Sequence, residues 1–96
     1  MTKTVGNVFS SELKSQGVKR IFGIPGGGSS VDLIDACSKE HITFELVQQE
    51  SSAAIMAVVS GELTSSLGAC ISIMGPGAAN LASGASYAYL ERHPLL

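Results

Sequence analysis

One carboxylate, Glu50, stands between a short strand-like run, Phe44-Glu45-Leu46-Val47, and an apolar run over residues 51–63. That order places it at the carboxyl end of a strand and the amino end of a buried helix. Taking an ionised carboxylate out of water is costly unless it is paired. Few structural roles ask for one there, whereas sharing a proton with a ligand does. Strand–turn–helix patterns at residues 21–30 and 70–79 flank it, with glycine turns Pro25-Gly26-Gly27-Gly28 and Gly75-Pro76-Gly77. Asn80 falls in the first turn of the last helix, where a buried amide needs partners. A ligand or the first glycine loop would supply them. That first loop matches neither G-x-G-x-x-G nor the Gly-Lys-Ser/Thr ending of a P-loop. A phosphate resting on the amides before Val31 and a plain tight turn both remain open for it.

The elements that must position these residues follow from patterning. Thr4 caps a first helix with Val5, Val8, Phe9 and Leu13 on one face. Gly17 stops it, and Val18 is placed to touch Leu13 in a Schellman-type ending. A short strand, residues 21–24, ends at Pro25, which cannot donate to a ladder. Ser29 or Ser30 caps the second helix, with Asp32 in its first turn. Residues 42–47 alternate as a half-exposed strand at or near a sheet edge. Residues 69–74 read as a central strand buried on both faces, and residues 78–90 as one helix. Pro94-Leu95-Leu96 looks like the opening of a fourth strand, cut short. The alternation predicts an α/β fold of three layers, a parallel sheet with helices on both faces. All three loops then share one rim, where open parallel sheets bind ligands.

Composition narrows the function. The 96 residues suit one small domain, 45% hydrophobic and only 15% charged, against roughly 25% charged on average. So little charge suggests that much of the surface is covered by something else. Net charge is −2 with no basic run, so nucleic acid and anionic membranes have no electrostatic footing. No signal peptide or membrane span is visible. Cys37 and Cys70 read as buried free thiols, which fits a cytoplasmic protein. His41 and His93 read as surface histidines, having no partner at metal-ligand spacing. The small residues of the two later helices, such as Ala53, Ala54, Ala57, Ala82 and Gly84, suggest packing against a second subunit or another domain.

The rim residues are also the ones that resemble a family. Gly17-Val18-Lys19-Arg20-Ile21-Phe22-Gly23-Ile24-Pro25-Gly26-Gly27 is similar to the G-V-x-x-V-F-G-x-P-G-G opening of thiamine-diphosphate-dependent enzymes, acetolactate synthase-like members above all. Gln49-Glu50 with Ala53, Ala54, Met56 and Ala57 resembles their H-E-x-x-A-A-x-M-A. Gly75-Pro76-Gly77-Ala78-x-Asn80-Leu81 resembles their G-P-G-A-x-N-L, and Pro94-Leu95-Leu96 the following P-x-x. Gln49 stands where many relatives carry histidine. Val58-Val59-Ser60-Gly61-Glu62 replaces E-G-Y-A-R, exchanging an aromatic and a cation for small and acidic groups.

The resemblance implies an amino-terminal pyrimidine-binding domain over residues 1–96, incomplete at its carboxyl end. Glu50 would match the catalytic glutamate that hydrogen-bonds the aminopyrimidine of thiamine diphosphate. Ile24, Pro25, Gly26, Pro76 and Asn80 would line the pyrimidine site. The implied activity is decarboxylation or carboligation of a 2-oxo acid, in a homo-oligomer where a second subunit holds most of the cofactor. Mg²⁺ would bind a diphosphate domain whose G-D-G…N pattern is absent from these residues. No turnover is then expected of this stretch alone. The alternatives are a non-catalytic binding or assembly remnant of that domain and, with poorer glycine spacing, a flavodoxin-like nucleotide binder.

Overall fold

A computed structural model of the chain describes residues 3–96. Helix α1, Val5–Ser15, opens on Thr4. The Thr4 hydroxyl accepts the Asn7 amide at 3.1 Å, and the Asn7 carboxamide oxygen accepts the Thr4 N–H at 3.0 Å. This reciprocal box satisfies two amides that a helix start leaves free. Gly17 ends the turn at a φ of 84°. The Val18 N–H bonds back to Leu13 O at 3.1 Å, the stop that Gly17-Val18 predicts.

Strands β1 (Arg20–Gly23), β2 (Thr43–Leu46) and β3 (Cys70–Ile71) form a parallel sheet in the order β2-β1-β3. Helices α2 (Ser30–Lys39) and α3 (Glu50–Thr64) connect them, and α4 (Pro76–Asn80) and α5 (Ala82–Leu90) follow β3. The register pairs Ile21 with Phe44 and Gly23 with both Leu46 and Ile71. Beyond β3 a further parallel pairing begins. Gly68 bridges Leu95, and Leu96 both donates to Gly68 O at 2.9 Å and accepts from the Cys70 N–H at 3.0 Å.

Alternation along β1 divides the core. Ile21 packs with Leu13, Val18, Cys37, Ile42 and Ala69 beneath α1 and α2. Phe22 packs with Val47, Ala53 and Ala57 beneath α3, and α5 lies on α3. The result is the expected three-layer α/β architecture, with β2 as the edge strand among those described. Among the described residues no helix is long and apolar enough to cross a membrane.

Several local expectations are corrected. Residues 69–74 shrink to a two-residue, half-buried strand, and Met74 is 84% exposed. Continuing the register would set Ile73 opposite Pro25, which has no N–H to offer. Of the predicted face of α1 only Leu13 is buried: Val5 and Val8 are 84% and 59% exposed. Instead Gly6, Ser10 and Leu13 turn inward, and a Cβ on Gly6 would meet Ala36 Cβ at 3.5 Å. The helix over residues 78–90 divides at Leu81 into α4 and α5. His93 is half-buried rather than on the surface, its Nε2 enclosed without a hydrogen-bond partner and packed against Gly61.

Two of the small residues, Ala54 and Gly84, serve a contact within this chain, while Ala82, Ser83, Ala85 and Ser86 of α5 stay exposed. Gly84 of α5 presses on α3, where an added Cβ would overlap Ala54 Cβ and come 2.8 Å from Ser51 O. They let two helices of this chain touch, while Ile55, Met56, Val59 and Leu63 of α3 face outward. Gly84→Ala is therefore expected to lower unfolding stability by about 1–3 kcal/mol through overpacking. Ala54→Gly in the same chain should recover part of that loss in thermal or denaturant melts.

Candidate functional site

Three parallel strands deliver their following turns to one rim, where the segment after β3 meets Glu50. Gln49, extended at φ −150°, is the cap of α3, and Glu50 is the first residue of that helix. A carboxylate there meets the positive end of the helix dipole. The sequence suggested a carboxyl with little access to water; Glu50 is in fact half-buried.

Asn80 closes α4, a single turn that begins after Gly75 at a φ of 74° with Pro76 at its first position. Proline is suited to that position because its missing N–H would be unpaired there anyway. The turn brings Asn80 Nδ2 to donate to Glu50 Oε2 at 3.3 Å. Asn80 is exposed rather than the buried amide expected, and its side chain finds the carboxylate, not the first glycine loop. Glu50 Oε1 lies over Gly77, where a Cβ would stand 3.5 Å away. One oxygen is held by an amide, and the other borders a stretch of backbone with no side chain.

The first glycine loop is tied to itself. Ser30 Oγ accepts the Gly26 N–H at 3.2 Å and donates to Gly26 O at 2.8 Å. Ser30 therefore closes the loop, and neither it nor Ser29 gives α2 a side-chain cap. Gly28 has a φ of 79°, a left-handed conformation that favours glycine. Ile24 is half-buried against the core beneath α3, Gly26 is half-buried, and Pro25 and Pro76 are exposed on their turns. Gln49 is exposed beside Glu50.

Sequence reasoning missed Ile73. Its side chain lies against both glycine turns, since a Cβ on Gly26 would overlap Ile73 Cγ2 and one on Gly77 would come 2.7 Å from Ile73 Cγ1. An isoleucine near the end of an apolar run carries no chemical signature. The available signal was the register that sets it opposite Pro25.

The other candidates stay apart from this cluster. Cys37 is fully buried and Cys70 half-buried, its Sγ 3.7 Å from Leu96 O. Burial pushes both thiols up from the ordinary cysteine range. Among the described residues no group of His, Cys, Asp or Glu is placed to hold a metal ion. A groove of about 520 Å³ between α1 and α2, lined by Val5, Phe9, Leu33 and Ala36, meets the first glycine loop at Ser29 and does not include Glu50. The rim is open to solvent, with Pro25, Gln49, Pro76 and Asn80 exposed along it.

Comparison with known proteins identifies the family. The family model for the thiamine pyrophosphate enzyme N-terminal TPP-binding domain matches residues 3–96. The catabolic acetolactate synthase of Raoultella terrigena is 36% identical over 87 residues, 90% of this chain and 15% of that protein. The putative thiamine pyrophosphate-containing protein YdaP of Bacillus subtilis is 33% identical over 96 residues, 98% of this chain and 17% of its own length. The large subunit of acetolactate synthase isozyme 2 from Escherichia coli is 36% identical over 84 residues, 88% and 15% of the respective chains. The chain therefore spans about one sixth of the relatives it matches. It belongs to the thiamine pyrophosphate enzyme family, as an N-terminal TPP-binding domain of the acetolactate synthase-like kind.

Proposed function

We propose that this chain is the pyrimidine-binding part of a thiamine-diphosphate-dependent 2-oxo acid decarboxylase or acetolactate synthase-like carboligase, with Glu50 as the group that exchanges a proton with the cofactor's aminopyrimidine. The observation that carries this reading is the asymmetry of the carboxylate: Oε2 is held by Asn80, and Oε1 faces the bare backbone at Gly77. That arrangement suits a flat, basic ring. Ile73 packs where a Gly77 side chain would stand, so the second oxygen meets backbone rather than a competing side chain, and it can accept or return a proton at a ring nitrogen. Asn80 fixes the carboxylate plane so that this oxygen keeps its direction. Ile24, Pro25, Gly26 and Pro76 form the turns on either side. Thiamine diphosphate, when bound, supplies the carbon nucleophile and the electron sink for the loss of carbon dioxide from a 2-oxo acid. Its diphosphate and Mg²⁺ would be held by residues outside these 96.

The open rim and the outward stripe of α3 support a covering partner, a second subunit or a further domain. Leu63 is 82% exposed on that stripe beside Ile55, Met56 and Val59. Burial of such a stripe is the usual source of association free energy. The assembly-remnant reading shares this surface and differs only in giving Glu50 no chemical role.

Three measurements in the full-length protein follow. Glu50→Gln should keep the fold and lose on the order of 10²–10⁴ in rate; an unchanged rate would favour the remnant. Leu63→Asp should weaken subunit or domain association by about tenfold or more, read by sedimentation. Asn80→Asp sets a second carboxylate beside Glu50. Like-charge repulsion raises the folded-state pKa of such a pair. The variant should therefore be less stable than the parent near pH 7, by about 0.5–1 kcal/mol at this exposed position. The difference should close as pH falls below about 4, where carboxylates protonate in the unfolded chain as well.

A further inference from the structure

Ile73 fills the space between the two glycine turns, and its β-branch divides the task. A Cβ on Gly26 would overlap Ile73 Cγ2 and lie 3.3 Å from Cδ1, whereas a Cβ on Gly77 would stand 2.7 Å from Cγ1 and 3.5 Å from Glu50 Oε1. Cγ2 makes the tightest contact with the first turn, where Cδ1 adds a looser one, and Cγ1 bears on the turn that borders the carboxylate. We propose that Ile73 is a positioning residue that sets the separation of the two turns, and thereby how deeply a flat nitrogen heterocycle can lie beside Glu50. The proposal rests on the pyrimidine-binding reading for the identity of that heterocycle and on this chain's packing for the rest.

Branching separates this role from simple core filling. For a filler, leucine keeps the volume of isoleucine and is tolerated, while valine leaves a gap. For a two-armed wedge the order reverses. Valine retains Cγ1 and Cγ2 and loses only Cδ1, whereas leucine has no branch at Cβ and so loses the arm against Gly26.

Amide hydrogen exchange in the full-length protein reads the two turns separately. The Gly26 N–H is held by Ser30 Oγ and the Ala79 N–H by Gly75 O at 3.0 Å. Ile73→Leu should speed exchange at Gly26 by about fivefold or more while Ala79 stays within about twofold. Ile73→Val should leave both within about twofold, and Ile73→Ala should speed both. Titration with thiamine diphosphate and Mg²⁺ should show the leucine variant binding about tenfold more weakly than the valine variant. Leucine and valine ranking the other way, Gly26 and Ala79 responding alike to leucine, or equal cofactor affinity in the two variants would each overturn the proposal. Exchange needs no ligand, so its outcome is independent of the pyrimidine reading, which Glu50→Gln tests by itself.

Discussion

The parallel register of β1 between β2 and β3 is the constraint on which the rest depends. With three strands running the same way, every βα turn emerges at one edge of the sheet. Gly23 permits the tight spacing this needs, since a Cβ there would overlap Ile71 O. Pro25 then ends the ladder on the β3 side, and the chain beyond Ile71 is released from the sheet. That release lets Ile73 swing beneath Gly26 and Gly77. Glu50 owes its surroundings to this arrangement: the carboxylate comes from α3, and both its amide partner Asn80 and its bare neighbour Gly77 come from α4.

The packing that supports the rim is made of small contacts rather than large side chains. Val58 and Cys37 are among the largest fully buried groups. The α3–α5 contact relies on Ala54 and Gly84 meeting without side chains between them. Such a core is dense but contributes limited apolar area, and burial stabilises in proportion to area, at about 25 cal/mol per Å². The apolar side chains that would add more, on α1, α3 and α5, face outward.

Much of this was legible in the sequence because it is encoded locally. Thr4 and Asn7 announce one end of α1 and Gly17-Val18 the other, since caps are short-range hydrogen-bond patterns. The alternation of helices and strands fixed the layer order and the common rim. What was not legible depended on neighbours distant in the chain. The periodicity of α1 marks an apolar face but cannot say that Gly6 and Ser10 are the residues admitted against α2. The run over residues 69–74 looks like a buried strand because nothing local reveals that its partner strand ends in proline. Ser30 reads as a cap from its position, yet the Gly26 backbone outcompetes the helix end for its hydroxyl. Ile73 carried no signal because its importance lies in what its neighbours lack.

The contact between Gly61 and His93 has a consequence for what position 61 can carry. A methyl group on Gly61 would stand 2.6 Å from His93 Nε2, 2.7 Å from Ser66 O and 2.8 Å from Gly68 N. Removing the imidazole would relieve only the first of these, because the other two are backbone atoms. Glycine at 61 is therefore demanded by the chain that turns out of α3 as much as by the histidine, and no single exchange at position 93 makes room for a side chain there.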